Sequence, residues 1–197
     1  MIISNALGLS KEYMDKKMKN ALVVVDATMG NGFDTCYLRS KLEPKGFLYA
    51  FDIQKTAIEN TKKRLIENKI YSNVLLINDS HVEFKKYIDE EVDLIVYNLG
   101  YLPKGDKNIT TLSESTLKSI KNGMDILNHE GLIIITIYPG HIEGEKEFNI
   151  ISEFLKTVDQ KKFEIIKIEF YNQINRPPVL FIIERKYWIW IKKYFAY

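Results

Sequence analysis

Short apolar runs alternate with segments of helical spacing along most of the chain. The runs are rich in Val, Ile and Leu and have the length of buried parallel strands. They lie at residues 22–25, 47–51, 74–77, 92–97 and 132–138. The segments at residues 54–68, 82–88, 114–128 and 145–158 are predicted to be helices, as is the stretch between the first two strands. This order predicts βαβ units built around a parallel sheet.

The end of the chain predicts a different strand pairing. Two further strand-like runs, at residues 163–171 and 179–184, are joined by residues 172–178. This connection is too short for a helical crossover, so the two strands must be antiparallel neighbours. A dinucleotide-binding fold ends with another parallel unit, whereas a methyltransferase sheet ends with such a hairpin. We therefore predict an α/β, Rossmann-like class I fold of S-adenosylmethionine (SAM)-dependent methyltransferases, with a seven-stranded, mostly parallel sheet that closes with an antiparallel hairpin.

Composition and length fit one globular domain. The 197 residues are 46% hydrophobic and 27% charged, which is ordinary for such a protein. We predict a single methyltransferase domain over residues 1–197, with an N-terminal helical segment at 1–20 and an aromatic C-terminal extension at 187–197. Two Trp and three Tyr make this extension too apolar to hang free in water. It is expected to pack on its own domain or to seal a homodimer, and stacking of RNA bases between its lysines is the alternative.

Charge and cysteine content bear on the partners and the compartment. A net charge of +2 permits RNA as a partner without requiring it, since proteins that depend on phosphate contacts show a clear basic face. There is no run of 18 apolar residues that would span a membrane, and the N-terminus lacks the pattern of a signal peptide. The single cysteine, Cys36, fits a reducing compartment. These features predict a cytoplasmic protein that works away from membranes.

The first predicted strand ends at Asp26, and a turn with Gly30 and Gly32 follows. Glycine lets the backbone pass close under a bound cofactor, where a Cβ would collide with it. A second acid, Asp52, ends the next strand, where it can accept hydrogen bonds from ribose hydroxyls. The motif alone fits either a dinucleotide or SAM. Thr35 stands where the dinucleotide fingerprint requires a small third residue, and this favours SAM.

Acids follow three successive strands, and the ends of parallel strands meet at one edge of the sheet, where ligands bind. Asp26 is predicted to organise the glycine loop or to reach the amino group of the cofactor's methionine part, and Asp52 to bind the ribose. Asp79 and Ser80 lie where the adenine amine is read. Taken alone, each acid fits a turn or a helix cap equally well. His81 is expected to pack near the adenine or to cap the next helix.

Asn98 ends the fourth strand, and the aromatic Tyr101 follows three residues later. This spacing is similar to the N-P-P-Y loop of amine-directed methyltransferases. A nitrogen that attacks a methyl group needs acceptors for its N–H bonds, so that its lone pair points along the sulfur–methyl axis. The side-chain oxygen of Asn98 and a backbone carbonyl of the loop are predicted to accept these bonds, and Tyr101 to stack the target base. An ordinary loop with a packed tyrosine is the alternative.

Other loops carry polar groups towards the same edge. Asp106 lies in a lid-like segment at residues 103–107, and His141 follows the fifth strand. Both are candidates to take a proton from the substrate amine, although a lone loop histidine is more often structural. Residues 172–178 present amides and a cation on a turn that two prolines stiffen. No set of His, Cys and carboxylates has the spacing of metal ligands, so no metal is expected.

The motifs, in this order, resemble those of the YtqB-like SAM-dependent methyltransferases, the MnmM family, over about residues 20–186. The shared motifs lie at residues 26–35, 52–61, 79–81, 98–103, 105–107, 138–141 and 172–178. Phe33 departs from the family pattern, which usually has histidine there, and Lys104 replaces a common glycine.

The resemblance implies SAM as the cofactor and tRNA as the partner. The implied reaction converts 5-aminomethyl-(2-thio)uridine at the wobble position to its 5-methylaminomethyl form. The alternatives are an rRNA base or a small-molecule amine as substrate, a nucleotide-binding module without catalysis, and an NAD-dependent oxidoreductase. The expected cofactor-binding residues are Asp26, Thr28, Gly30, Asn31, Gly32, Asp34, Thr35, Asp52, Gln54, Asp79, Ser80, His81 and Asn98. The expected catalytic residues are Asn98, Tyr101, Asp106 and His141.

Overall fold

Seven strands form one sheet in the computed structural model, which describes residues 4–100 and 113–187. The strands are β1 Val23–Asp26, β2 Phe47–Phe51, β3 Val74–Ile77, β4 Val92–Leu99, β5 Leu127–Ile137, β6 Phe163–Ile168 and β7 Val179–Arg185. Their order in the sheet is β3-β2-β1-β4-β5-β7-β6. The pairings among β1 to β5 are parallel, and β7 is antiparallel to both of its neighbours. The predicted fold class, including the closing hairpin, is confirmed.

Helices cover both faces of this sheet. They are α1 Ala6–Met18, α2 Phe33–Lys41, α3 Lys55–Glu67, α4 Phe84–Tyr87, α5 Ser113–Ile126 and α6 Ile142–Lys156, with a short 3₁₀ helix at His81–Glu83. Successive strand residues point to opposite faces. Leu94 of β4 accordingly packs in one core with Met14 of α1, and its neighbour Ile95 in the other core with Ile120 of α5. Burial on both faces explains why the strands are apolar throughout rather than alternating.

One strand starts earlier than the sequence predicts. The apolar pattern places the beginning of the fifth strand at Leu132, but β5 already pairs with β4 at Leu127. The register shifts between these two pairings, and Glu130 has a left-handed φ of +59°. The intervening residues are polar or glycine, so the irregular start of β5 has no apolar signal.

The ends of the chain are partly described. Residues 6–18 of the predicted N-terminal helical segment form α1. Residues 188–197 of the aromatic extension lie outside the described residues, so its packing and the single-domain assignment over residues 1–197 stay predictions. Within the described ranges, no helix has both the length and the apolar character needed to cross a membrane. In those same ranges, no three His, Cys, Asp or Glu side chains are grouped to hold a metal ion.

Candidate active site

The carboxyl ends of β1 and β4 meet in the middle of the sheet, where the chain leaves towards β2 on one side and β5 on the other. In open α/β sheets, ligands bind outside the strand ends at such a point. The ends of β2 and β5 lie next to this pair because all four strands are parallel neighbours. We call the region formed by the carboxyl ends of β1, β2, β4 and β5, with the described residues that directly follow them, the strand-end site.

Two glycines shape the loop after β1, which covers residues 27–32. Gly30 and Gly32 have left-handed φ angles of +50° and +77°, which side chains with a Cβ rarely adopt. A Cβ at Gly32 would also lie 2.9 Å from the Cα of Thr61 on α3. Gly32 therefore allows the loop to pack closely on a helix. The role expected from the sequence was different, namely to let the backbone pass close to a cofactor.

Two side chains of α3 hold the glycine loop through its backbone carbonyls. The Thr61 hydroxyl donates a hydrogen bond to the Gly30 carbonyl at 3.1 Å, and Arg64 Nε donates to the Asn31 carbonyl at 2.9 Å. The Arg64 guanidinium also stacks on Phe33, 3.8 Å from the ring centroid. These supports have no signal in the sequence, because the apolar spacing that predicts α3 does not show which of its polar side chains face the glycine loop.

Asp26 organises the glycine loop, which is the first of its two predicted roles. Its side chain is buried, with 1% of the residue exposed. One oxygen accepts a hydrogen bond from the Thr28 N–H at 3.1 Å, and the other accepts one from the Thr35 hydroxyl at 2.6 Å. Burial and the neighbouring Asp34 carboxylate raise the pKa of Asp26 to about 7. Thr35 is itself fully buried, so it supports Asp26 rather than facing a ligand.

Asp52 connects the glycine loop to the start of α3. Its oxygens accept hydrogen bonds from the Gly30 N–H at 3.0 Å and from the Gln54 N–H at 2.9 Å. Burial raises the pKa of Asp52, whereas these hydrogen bonds lower it. Each carboxylate oxygen can accept a second hydrogen bond, so Asp52 keeps acceptor capacity for ribose hydroxyls. Next to it, Ile53 leaves 48% of its surface exposed. This apolar surface at the site was not expected from the sequence, since Ile53 follows the apolar run of β2 directly.

Asp79, after β3, is held in its ionised form. Its carboxylate accepts hydrogen bonds from the Tyr87 hydroxyl at 2.7 Å and the Lys86 ammonium at 3.0 Å. These donors lower the pKa of Asp79. An ionised carboxylate at this strand end is an acceptor for an amine such as that of adenine, so the geometry is compatible with the predicted role.

Ser80, and not His81, caps the helical segment that follows. The Ser80 hydroxyl accepts a hydrogen bond from the Val82 N–H at 3.3 Å. His81 is buried with its ring edge-on to Tyr97, at 5.9 Å between centroids. Burial lowers the pKa of His81 to about 4, so the ring is neutral. His81 belongs to the core beneath the strand ends.

Asn98 is fixed at the end of β4 by two hydrogen bonds. Its backbone N–H donates to the Thr28 hydroxyl at 2.8 Å, and its side-chain Nδ2 donates to Asp34 Oδ2 at 3.0 Å. A carboxylate only accepts hydrogen bonds, so the amide NH₂ of Asn98 must face Asp34. The side-chain oxygen is then left as an acceptor, which is the orientation that its predicted role requires.

Tyr138, directly after β5, completes this side of the strand-end site. Burial and, to a smaller extent, the Asp34 carboxylate raise the pKa of Tyr138. A Cβ at Gly100 would lie 3.5 Å from the Tyr138 ring, so the ring lies next to Gly100, two residues after Asn98. Tyr138 belongs to the motif at residues 138–141, and its position at a strand end is a sequence signal for a place in the site, although its contacts are not.

Of the two predicted proton acceptors, Asp106 and His141, the structure describes only His141. His141 is the N-cap of α6, where its Nδ1 accepts a hydrogen bond from the Gly144 N–H at 2.9 Å. A neutral imidazole has one basic nitrogen, and this one is used by the cap. The geometry therefore favours the structural interpretation of His141. Tyr101 and Asp106 lie outside the described residues.

The electrostatics of the strand-end site fit a cationic ligand. The carboxylates of Asp26, Asp34 and Asp52 converge on the glycine loop, and the other two both act to raise the pKa of Asp26. A positive charge placed there would relieve this repulsion. SAM carries a sulfonium cation together with ribose hydroxyls and an adenine amine. The acids after β1, β2 and β3 are therefore chemically matched to its three parts.

The fold and the strand-end site are those of a class I SAM-dependent methyltransferase. Within this class, the chain belongs to the family described as "Putative rRNA methylase", whose model matches residues 48–184. The match covers more than half of the chain and includes the strands from β2 to β7. The predicted methyltransferase class and SAM as cofactor are confirmed over the dinucleotide alternative.

Three relatives illustrate the similarity. A "putative rRNA-methylase" from Clostridium thermocellum is 43% identical, with a TM-score of 0.91 over 94% of this chain and 100% of that one. A Streptococcus mutans protein solved in complex with SAH is 34% identical, with a TM-score of 0.85 over 93% and 99% of the two chains. The Arabidopsis thaliana protein named tRNA (mnm(5)s(2)U34)-methyltransferase, chloroplastic, is 34% identical over 173 residues, or 83% of this chain. The matched region is only 63% of that plant protein's length.

We expect the affinity for SAM to increase as the pH rises through about 7, because ionised Asp26 adds a negative charge to the site of a cationic ligand. Calorimetric titration at pH 6 and pH 8 measures this, and Kd should be several-fold lower at pH 8. S-adenosylhomocysteine has no sulfonium charge and is the matched ligand, whose affinity should change less.

The variant Asp26→Asn tests whether Asp26 causes this pH dependence of SAM binding. An amide can keep both hydrogen bonds, since its oxygen accepts and its nitrogen donates to a rotated Thr35 hydroxyl. The pH dependence of SAM binding should then flatten. Because the folded-state pKa is raised, Asp26 also lowers the stability of the ligand-free protein as pH rises from about 4 to about 7, and the variant should lack this loss. Equal pH dependence of SAM binding in both proteins would contradict the assignment.

Proposed function

We propose that this protein is an N-methyltransferase that acts on the primary amine of 5-aminomethyl-(2-thio)uridine at the wobble position of tRNA, giving the 5-methylaminomethyl form. The observation that carries the proposal is the orientation of Asn98. Asp34 binds its NH₂ group at 3.0 Å and leaves its oxygen as an acceptor at the strand-end site. An acceptor there suits a nucleophile with N–H bonds, and an amine is such a nucleophile.

The relatives support an RNA substrate. The Arabidopsis relative carries the name of a methyltransferase for this tRNA position, and the family description names rRNA. Two observations therefore point towards RNA, while the choice of the wobble uridine comes from the relative and from the motif resemblance. The amine chemistry derived from Asn98 is consistent with that choice.

The chain's own residues position the amine. When bound, SAM supplies a methyl group on a positively charged sulfur, which a neutral amine accepts. The Asn98 oxygen accepts one N–H of the amine and thereby fixes the direction of the nitrogen lone pair. Tyr138 limits the space near the end of β4, because a Cβ at Gly100 would lie 3.5 Å from its ring. Catalysis on this proposal consists mainly of positioning.

The charge state of the amine sets a second requirement. An alkylamine is largely protonated at neutral pH, and the Asp34 carboxylate attracts that cation to the site. One proton must then leave the nitrogen before its lone pair is available. Asp106 remains the proposed acceptor, since the Nδ1 lone pair of His141 is used in capping α6.

Nucleoside mass spectrometry tests the function directly. Transfer RNA from cells lacking this protein should lose 5-methylaminomethyl-uridine and accumulate its aminomethyl precursor. Adding the purified protein with SAM should restore the methylated form in vitro. An unchanged tRNA profile would contradict the wobble assignment and direct the search to rRNA or small-molecule amines.

Replacing Asn98 with alanine should separate turnover from cofactor binding. We expect methyl transfer to fall on the order of 100-fold, because the amine loses its positioning acceptor, while Kd for SAM changes by less than about 3-fold. Asn149→Ala, at an exposed position of α6, is the control. Unchanged turnover in Asn98→Ala would remove the basis for an amine-directed site.

Asp34→Asn tests the positioning role of Asp34. The variant no longer forces the Asn98 amide into one orientation or attracts an ammonium group, so we expect turnover to fall at least about 10-fold. Removing this charge should also lower the pKa of Asp26, which shifts the pH midpoint of SAM binding downwards. Glu59→Gln, at an exposed position of α3, is the matched charge control. Because the positioning effect of Asp34 runs through Asn98, the double variant with Asn98→Ala should lose less activity than the two single losses combined. The part of the Asp34→Asn loss that remains in the double variant is the lost attraction of the ammonium group. Additive losses would contradict the positioning role.

A further inference from the structure

The loop between β6 and β7, residues 169–178, lies at the same edge of the sheet as the strand-end site. Asn98 on β4 pairs with Thr136 on β5, and Thr136 pairs with Leu180 near the start of β7. Two strand spacings amount to about 10 Å. The loop before β7 is therefore within the reach of a nucleotide that neighbours a base held at Asn98.

Large apolar side chains are exposed at this place. Tyr171 is fully exposed, Ile174 is 92% exposed and Ile142, at the start of α6, is 74% exposed. We call these three residues the edge patch. Single exposed apolar residues are ordinary, but an exposed aromatic ring and two exposed isoleucines in the segments that border a ligand site indicate a surface that another molecule covers.

The loop that carries this patch is held in place. Arg176 forms an ion pair with Glu145 of α6 at 2.7 Å, and a Cβ at Gly140 would lie 3.6 Å from the Arg176 carbonyl. Arg176 has a left-handed φ of +45°, and the two prolines that follow restrict the backbone further. The ring of Tyr171 is thus presented on a supported loop.

The charges around the patch are neutralised locally. Arg176 is paired with Glu145, and Lys146 is paired with Glu143 at 2.8 Å. Glu169, at the start of the loop, is paired with Lys167 at 2.8 Å. The other polar groups of the loop, at residues 172, 173 and 175, are uncharged amides. Such a surface is suited to the face and edges of a nucleobase rather than to phosphates.

We infer that the edge patch, with Tyr171 at its centre, stacks an unpaired base of the tRNA anticodon loop that neighbours the wobble uridine. The inference rests on the proposed function, and it deepens it by placing a second RNA contact outside the reacting site. This contact also accounts for RNA recognition by a chain with a net charge of only +2, since base stacking needs no phosphate contact.

Binding of a fluorescently labelled anticodon stem-loop RNA tests this, measured by anisotropy alongside steady-state methylation of tRNA. Tyr171→Ala should raise Kd for the RNA and KM for tRNA on the order of 10-fold, with kcat and Kd for SAM nearly unchanged. Tyr171→Phe keeps the ring and should stay within about 2-fold of the parent protein.

The salt dependence of RNA binding should be the same in all of these proteins, because no phosphate contact is removed. Tyr71→Ala is the control, since this exposed tyrosine lies just before β3, at the opposite edge of the sheet.

The outcomes separate this inference from the proposed function. Methylation of the wobble amine with equal KM in the parent and Tyr171→Ala would overturn the stacking contact and leave the function intact. RNA binding that depends on Tyr171, without any methylation of that amine, would support the stacking contact and overturn the proposed function. Unchanged RNA binding together with an altered oligomeric state of Tyr171→Ala, measured by light scattering, would assign the patch to a second copy of the chain and overturn the inference.

Discussion

A closed ring of contacts around the buried Asp26 carboxylate determines the strand-end site. Thr28 donates its N–H to Asp26 and accepts the N–H of Asn98, which in turn donates its amide to Asp34. Thr35, which follows Asp34 in the chain, donates a hydrogen bond from its hydroxyl to Asp26 and so closes the ring. Leaving a buried carboxylate without such donors would cost several kcal/mol. The shape of the glycine loop and the direction of the Asn98 amide are therefore set by the same requirement.

This ring places two carboxylates of like charge close together. Asp34 is the largest charged contributor to the raised pKa of Asp26, so part of the electrostatic cost of the ligand-free site comes from their repulsion. A cationic cofactor relieves that repulsion on one side and a protonated substrate amine relieves it on the other. On the proposed function, both cationic ligands are attracted by the same negative field, so the binding of one reduces the attraction that is left for the other. The third carboxylate, Asp52, adds to this field while it holds the loop at Gly30.

Much of the fold and part of the site follow from the sequence. Runs of Val, Ile and Leu identify buried strands because both faces of the sheet are covered, and the short connection before β7 requires an antiparallel hairpin. Asp26 and Asn98 could be selected because strand ends converge on one edge. The contacts of Arg64 and Tyr138 could not, since they join segments whose proximity depends on helix and strand packing. For His141 the sequence signal was ambiguous. A histidine at this position can serve as a helix cap or as a general base, and the structure shows the cap.

The antiparallel direction of β7 determines which loop lies beside the strand-end site. A parallel last strand would begin at the opposite edge of the sheet and would carry its preceding loop away from the strand-end site. Because β7 runs antiparallel to β5, residues 169–178 emerge beside the end of β5 instead. The sheet then divides into two parts: the ends of β1, β2 and β3 carry the acids suited to the cofactor, and the segments beyond β4 carry Tyr138 and the edge patch. On the proposed function, Asn98, at the boundary between the two parts, is the residue where the cofactor and the RNA would meet.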